Sequence, residues 1–174
     1  MAGLLADLWS AFALLSRIPA PGHRPSGARG AWAWPLVGVV VGLAAGLAAL
    51  AAAPAGPGVA AAVALAVQAA LTGALHEDGL ADCADGFWGG HTRDRRLEIM
   101  KDSRVGSFGV LALVLVVLAG WSAVSQAGRV LPVLVAAGAL SRAPMAVLMA
   151  ALPNAREGGL SRLVGRPPAA VAGA

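Results

Sequence analysis

The sequence predicts an all-α, polytopic integral membrane bundle, and three observations carry that reading. Of 174 residues, 58% are hydrophobic and 13% are charged, about half the charge of an ordinary soluble domain, roughly 25%. The apolar residues come in runs of 17 to 23, lengths at which a helix crosses a hydrocarbon core about 30 Å thick. The charge is gathered in one place: seven of the nine acidic residues and five of the thirteen basic ones lie between positions 76 and 107. A chain of this length is expected to be a single domain, 1–174. Cys83 is the one cysteine, so no intramolecular disulfide can form. The formal charge of +4 does not point to nucleic acid, because the arginines flank apolar runs, where membrane topology needs them.

The elements follow in order. Residues 4–18 are apolar but short and interrupted, which suits an interfacial or re-entrant helix anchored by Trp9 and ended by Pro19 and Pro21. With Asp7 early and no basic leader, this segment does not read as a signal peptide. A polar linker with His23, Arg24 and Arg29 follows, and Trp32 and Trp34 mark a membrane interface. Span one is predicted at 35–53, with Gly38, Gly42 and Gly46 on one face. Such a stripe admits a closely packed helix, either from the same chain or from a second copy in a homo-oligomer. Span two is predicted at 59–75, span three at 108–127 and span four at 130–152, the last interrupted by Arg142 and Pro144. The basic residues sit before span one, within 76–107 and in the tail, while the turns at 54–58 and 128–129 hold one between them. All three basic regions are therefore expected on the cytoplasmic side of a four-span protein.

Helices lying between spans two and three are expected to carry the chemistry. Asp78, Asp82 and Asp85 are spaced i, i+4, i+7 and fall within about 60° on a helix. Like charges so placed repel, and a bound cation relieves the repulsion. Oxygen-only ligands select Mg²⁺ or Mn²⁺ over Zn²⁺. The alternative is a solvated helix face just outside the bilayer. Gly79, Cys83, Gly86 and Gly90 form a neighbouring stripe of small residues, suited to a packed helix or a bulky ligand. Asp94, Glu98 and Asp102 repeat at i, i+4, i+8, which predicts a second helix bearing carboxylates, with Lys101 beside them and Arg93, Arg96 and Arg104 largely on the other side. Arg95 or Lys101 can instead simply pair with Glu98. Two carboxylate groups with cations nearby suit metal-assisted phosphoryl transfer, in which one Asp activates an alcohol.

The segments 76–90 (His76 through Gly90) and 95–109 (Arg95 through Gly109) resemble the hallmark segments of the cobalamin synthase family, the adenosylcobinamide-GDP ribazoletransferases. Ser16-Arg17-Ile18-Pro19, Trp34 to Gly38, and Ser141-Arg142-Ala143-Pro144 through Leu160 resemble its flanking regions. The resemblance implies an integral enzyme of the bacterial inner membrane, with its active site facing the cytoplasm. It would join adenosylcobinamide-GDP to α-ribazole or its 5′-phosphate, with release of GMP. It implies Mg²⁺ as the metal, held by Asp78, Asp82, Asp85 and Asp102, with Glu98 a further candidate. Asp82 or Asp85 would double as catalytic base, and Lys101, Ser103 and Arg104 would bind phosphate. Chains of this family usually continue with further apolar helices, so the resemblance implies that the sequence ending at Ala174 is a fragment, a truncated reading of the gene or a short variant.

Two other readings remain open at this level. Asp82-x-x-Asp85-Gly86 with Asp94 and Glu98 loosely echoes the CDP-alcohol phosphotransferases, although Gly89 and Gly90 stand where that pattern has an Ala-Arg pair. A cation transporter would need its carboxylates at mid-bilayer depth, whereas here they lie between predicted spans.

Overall fold

The computed structural model describes residues 2–22 and 25–172. His23 and Arg24 of the linker lie outside the described residues. Helices and turns make up the described chain, with no strand among them. In order these are α1 (Ala2–Leu15), a 3-10 turn (Gly27–Ala33), α2 (Trp34–Ala52), α3 (Pro57–Thr72), α4 (Leu75–Gly89), α5 (Arg93–Ile99), α6 (Ser107–Ser125), α7 (Val130–Ala151) and two short helices, α8 (Leu160–Val164) and α9 (Ala169–Ala172).

The predicted spans correspond to α2, α3, α6 and α7. Three segments are long and apolar enough to cross a membrane on their own: 27–55, which contains α2, then α6 and α7. A fourth crossing exists only if α3 and α4 count together as one broken span, bent by 89°. Alone, α3 has 16 residues, about 24 Å at 1.5 Å per residue, short of a core about 30 Å thick. It stops before the expected 75 because Gly73 (φ 65°) and Ala74 (φ 55°) are both left-handed. Two such residues in succession cannot continue a right-handed helix, so the chain turns and starts α4.

α2 is the centre of the bundle. Its residues Trp34, Val37 and Val41 are buried against Ala11, Phe12 and Leu15 of α1 and Ala146 of α7. Further along, Ala45 and Ala49 pack with Ala64 of α3 and Leu134 of α7. The glycine stripe faces α7: a Cβ on Gly38 would fall on the Gly138 carbonyl, and one on Gly42 on that of Leu134. It is thus a seam within the chain, where missing side chains let two backbones touch.

One tryptophan expectation is corrected by this packing. Trp34 is 1% exposed, so it fills the core instead of marking an interface. Trp9 is part-buried against Phe12, with ring centroids 6.1 Å apart. Trp32 donates to Asp7 at 3.1 Å, which ties α1 to the 3-10 turn. By contrast α6 buries only Gly109 and leaves Val110, Leu111, Val114, Leu115 and Leu118 exposed, the apolar surface a bilayer would cover.

Candidate active site

α4 carries Glu77, Asp78, Asp82 and Asp85 within fifteen residues. Four carboxylates are too costly for a lipid-embedded crossing, and α4 runs at 89° to α3. The pair α3–α4 is therefore either a broken span or a re-entrant loop, with the carboxylates on its second arm.

Asp85 is the most constrained of them. It is 8% exposed, and its two oxygens accept from the backbone N–H of Gly106 at 2.7 Å and of Gly109 at 2.8 Å. These amides belong to the first turn of α6, which has no intrahelical acceptor for them. A carboxylate there also meets the positive end of the helix dipole. The glycines are required by that approach: a Cβ at 106 would stand 2.5 Å from the carboxylate, and one at 109 would meet both it and the Ala81 carbonyl.

Asp78 and Asp82 share the same side of α4, and no hydrogen bond or ion pair engages either side chain among the described residues. Burial pushes the Asp82 carboxyl above the ordinary carboxylate range; the charges of Asp78 and Asp85 add to that push, and Arg156 opposes it.

The second helix is shorter than its charge periodicity predicts. α5 starts at Thr92, whose hydroxyl accepts from the Arg95 amide at 3.3 Å. It ends at Ile99, so Asp102 is not on the same helix face as Asp94 and Glu98. The reason is local: Asp102 accepts from the amide two residues on, that of Arg104, at 3.1 Å, a side-chain turn that competes with the helix. The Arg104 guanidinium also grips Asp102 at 2.6 Å and holds its carboxyl at about 2, below the usual range. Glu98 pairs with Arg95 at 2.7 Å, and Arg93 with Asp94 at 3.7 Å. Both pairs are exposed and add little stability. Of the small-residue stripe, Gly86 and Gly90 lie against Met100 and Arg96 and let α5 pack on α4, while Gly79 faces open space and Cys83 is exposed.

The predicted residues thus surround more than one cavity. One of about 540 Å³ is lined by Asp85, Arg95, Glu98, Asp102 and Arg104. Another of about 640 Å³ is lined by Asp94, Glu98, Lys101, Arg156 and Glu157. Asp78 borders a third of about 490 Å³ with Ser16, Arg17 and Thr72. Lys101 and Arg104 therefore line different cavities, and Ser103 stands exposed on the turn between them.

Among the described residues no three of His, Cys, Asp and Glu converge to hold a metal. The donor chemistry still fits Mg²⁺, which is commonly bound by one or two carboxylates plus water and substrate phosphates. Asp78 and Asp82 are the uncommitted pair. Asp85, Glu98 and Asp102 already have other partners.

The family model described as cobalamin-5-phosphate synthase matches residues 7–173. The chain belongs to the cobalamin-5-phosphate synthase family. An adenosylcobinamide-GDP ribazoletransferase of Bradyrhizobium diazoefficiens is 44% identical over 174 residues, covering 95% of this chain and 67% of that protein. Those of Azorhizobium caulinodans and Brucella ovis are each 45% identical and cover 95% of this chain and 68% of theirs. No solved structure matches. Within this synthase-family chain, three residues near the site escape sequence reasoning: Glu77, Arg142 and Arg156. Only Arg142 carried a signal, as a charge inside an apolar span.

Proposed function

We propose that this chain transfers the adenosylcobinamide phosphate moiety of adenosylcobinamide-GDP to α-ribazole or its 5′-phosphate. What carries the reading is that the family match covers both charged segments, 76–90 and 95–109, and that these fold against each other through Asp85 and the start of α6. In the reaction the acceptor hydroxyl oxygen bonds to the corrinoid-side phosphorus, the phosphorus–oxygen bond to GMP breaks, and GMP departs with the electron pair.

Asp82 suits the role of general base. Among the described residues no hydrogen bond or ion pair engages its carboxylate, which leaves an oxygen free to take the hydroxyl proton. Asp85, held by two amides, positions the start of α6 instead. Asp78 and Asp82 would hold Mg²⁺, which supplies charge neutralisation at the transferring phosphate. Lys101 and Arg104, which line two separate cavities, would supply cations toward the phosphates, Arg104 on exchanging its Asp102 partner for substrate. The domain, 1–174, would lie in the bacterial inner membrane with α4 and α5 toward the cytoplasm, an arrangement that puts all three basic regions on one side when α3 and α4 together make the fourth crossing.

The test uses membranes containing the full chain, supplied with labelled adenosylcobinamide-GDP and α-ribazole. GMP release that requires Mg²⁺ and stops with a chelator is expected. GMP at background level, with Mg²⁺ present, overturns the reading.

A further inference from the structure

Inside the bundle, where α2, α3, α4 and α7 meet, lies a cavity of about 450 Å³ that none of the preceding chemistry uses. Its wall includes Gln68, Thr72, Glu77, Ser141 and Arg142. Arg142 is 6% exposed. Its Nη1 donates to the Gly138 carbonyl and the Ser141 hydroxyl, both at 3.0 Å, and its Nε is buried. Oε2 of Glu77 is likewise buried; among the described residues neither atom has a hydrogen-bond partner, and no ion pair joins the two residues. A buried donor and a buried acceptor, each unsatisfied and lining one cavity, are costly unless something bridges them.

The bridge has a definable chemistry. It must accept from a guanidinium and donate to a carboxylate. An ammonium cannot accept, and a phosphate beside the Glu77 carboxylate would be repelled by its charge. A hydroxyl does both, whether of a sugar or of a water, and the apolar cavity alongside favours a ligand that carries a flat apolar group as well. Next to this cavity, with His76 and Met145 in both walls, is an apolar one of about 260 Å³ bounded by Trp34, Leu75, Met145 and Met149. The two volumes fall within the range of small-molecule sites, roughly 300–1,000 Å³ in total.

We propose that the joined cavities bind the acceptor nucleoside: sugar hydroxyls between Arg142 and Glu77, and the flat apolar base against Trp34, Met145 and Met149. The assignment rests on the transferase reading above. Thr72 lines both this cavity and the one that Asp78 borders, so the sugar site adjoins a carboxylate proposed for the chemistry.

The purified full chain in detergent is tested by equilibrium dialysis against α-ribazole, its free base and adenosylcobinamide-GDP, and by GMP-release kinetics. Glu77→Gln is expected to weaken α-ribazole binding and raise its KM about tenfold, the loss of one charge-assisted hydrogen bond. The affinities for the free base and for adenosylcobinamide-GDP should stay within about twofold. Met145→Trp, which fills the junction, should weaken α-ribazole and free base alike. Unchanged α-ribazole binding in both variants overturns the assignment, as does a loss that falls on adenosylcobinamide-GDP. If the parent chain binds α-ribazole with this pattern but releases no GMP, the nucleoside site stands and the transferase reading fails. If GMP is released and neither variant moves the KM for α-ribazole, the site fails alone.

Discussion

Asp85 on α4 and Gly109 on α6 are joined by a 2.8 Å hydrogen bond from the glycine amide to a buried carboxylate oxygen. The other oxygen takes the Gly106 amide, so a single side chain closes the start of α6 and locks it to α4. An amide in its place offers one acceptor and turns an N–H₂ toward the second donor. Asp85→Asn is therefore expected to destabilise the protein by about 1–3 kcal/mol, read as a lower unfolding temperature in detergent. Unchanged melting would show that the carboxylate is free for another role.

Asp82→Asn should behave in the opposite way. No side-chain partner holds Asp82, so stability should stay within about 0.5 kcal/mol while GMP release is lost. Turnover near the parent's would make this face of α4 structural. Arg93→Ala, at an exposed site whose side chain is 70% accessible, should change turnover by less than about threefold.

The pH dependence of kcat/KM tests the base assignment. Asp82 must be ionised to take a proton, so activity should fall as pH drops through its raised pKa. Arg156 favours the ionised form. Without it the carboxyl keeps its proton to higher pH, and Arg156→Gln should move the acid limb upward. A limb that stays put, or moves down, removes Asp82 from the role.

Cys83 reports the side of the membrane. It is the one cysteine of the chain, exposed on α4 next to Asp82. A membrane-impermeant maleimide should label it in inverted vesicles and not in intact spheroplasts. The reverse pattern would put α4 outside the cytoplasm.

The α2–α7 seam has no room for side chains. Gly38→Leu forces a branched side chain onto the Gly138 carbonyl and the Arg142 side chain. Overpacking of this kind costs about 1–3 kcal/mol or more, so yield and melting temperature should both fall. Normal melting would mean that the helices can separate here.

The helices were legible because their signals are local. Apolar run length, Pro35 in the first turn of α2 and the small residues every fourth position on α2 are properties of neighbouring positions. The grouping of Asp78, Asp82 and Asp85 on one face was readable for the same reason. The continuation of α5 to Asp102 was misread, since charge periodicity does not register a side chain that bonds its own backbone. The corner at Gly73 and Ala74 was missed as well, because Ala74 carries no sign of its positive φ.

By itself the sequence determined that this is an all-helical membrane protein of the cobalamin-5-phosphate synthase family, with its charge gathered in one stretch, 76–107. Only the tertiary structure decided which carboxylates are free. It gave Asp85 to the amides of α6, Asp102 to Arg104 and Glu98 to Arg95, and left Asp78 and Asp82 uncommitted. It also brought Glu77 and Arg142, 65 residues apart in the sequence, to the walls of one cavity. Spacing along a helix determines which side chains share a face. What a side chain bonds across helices depends on backbone groups far away in the chain, and those come near only when the helices pack.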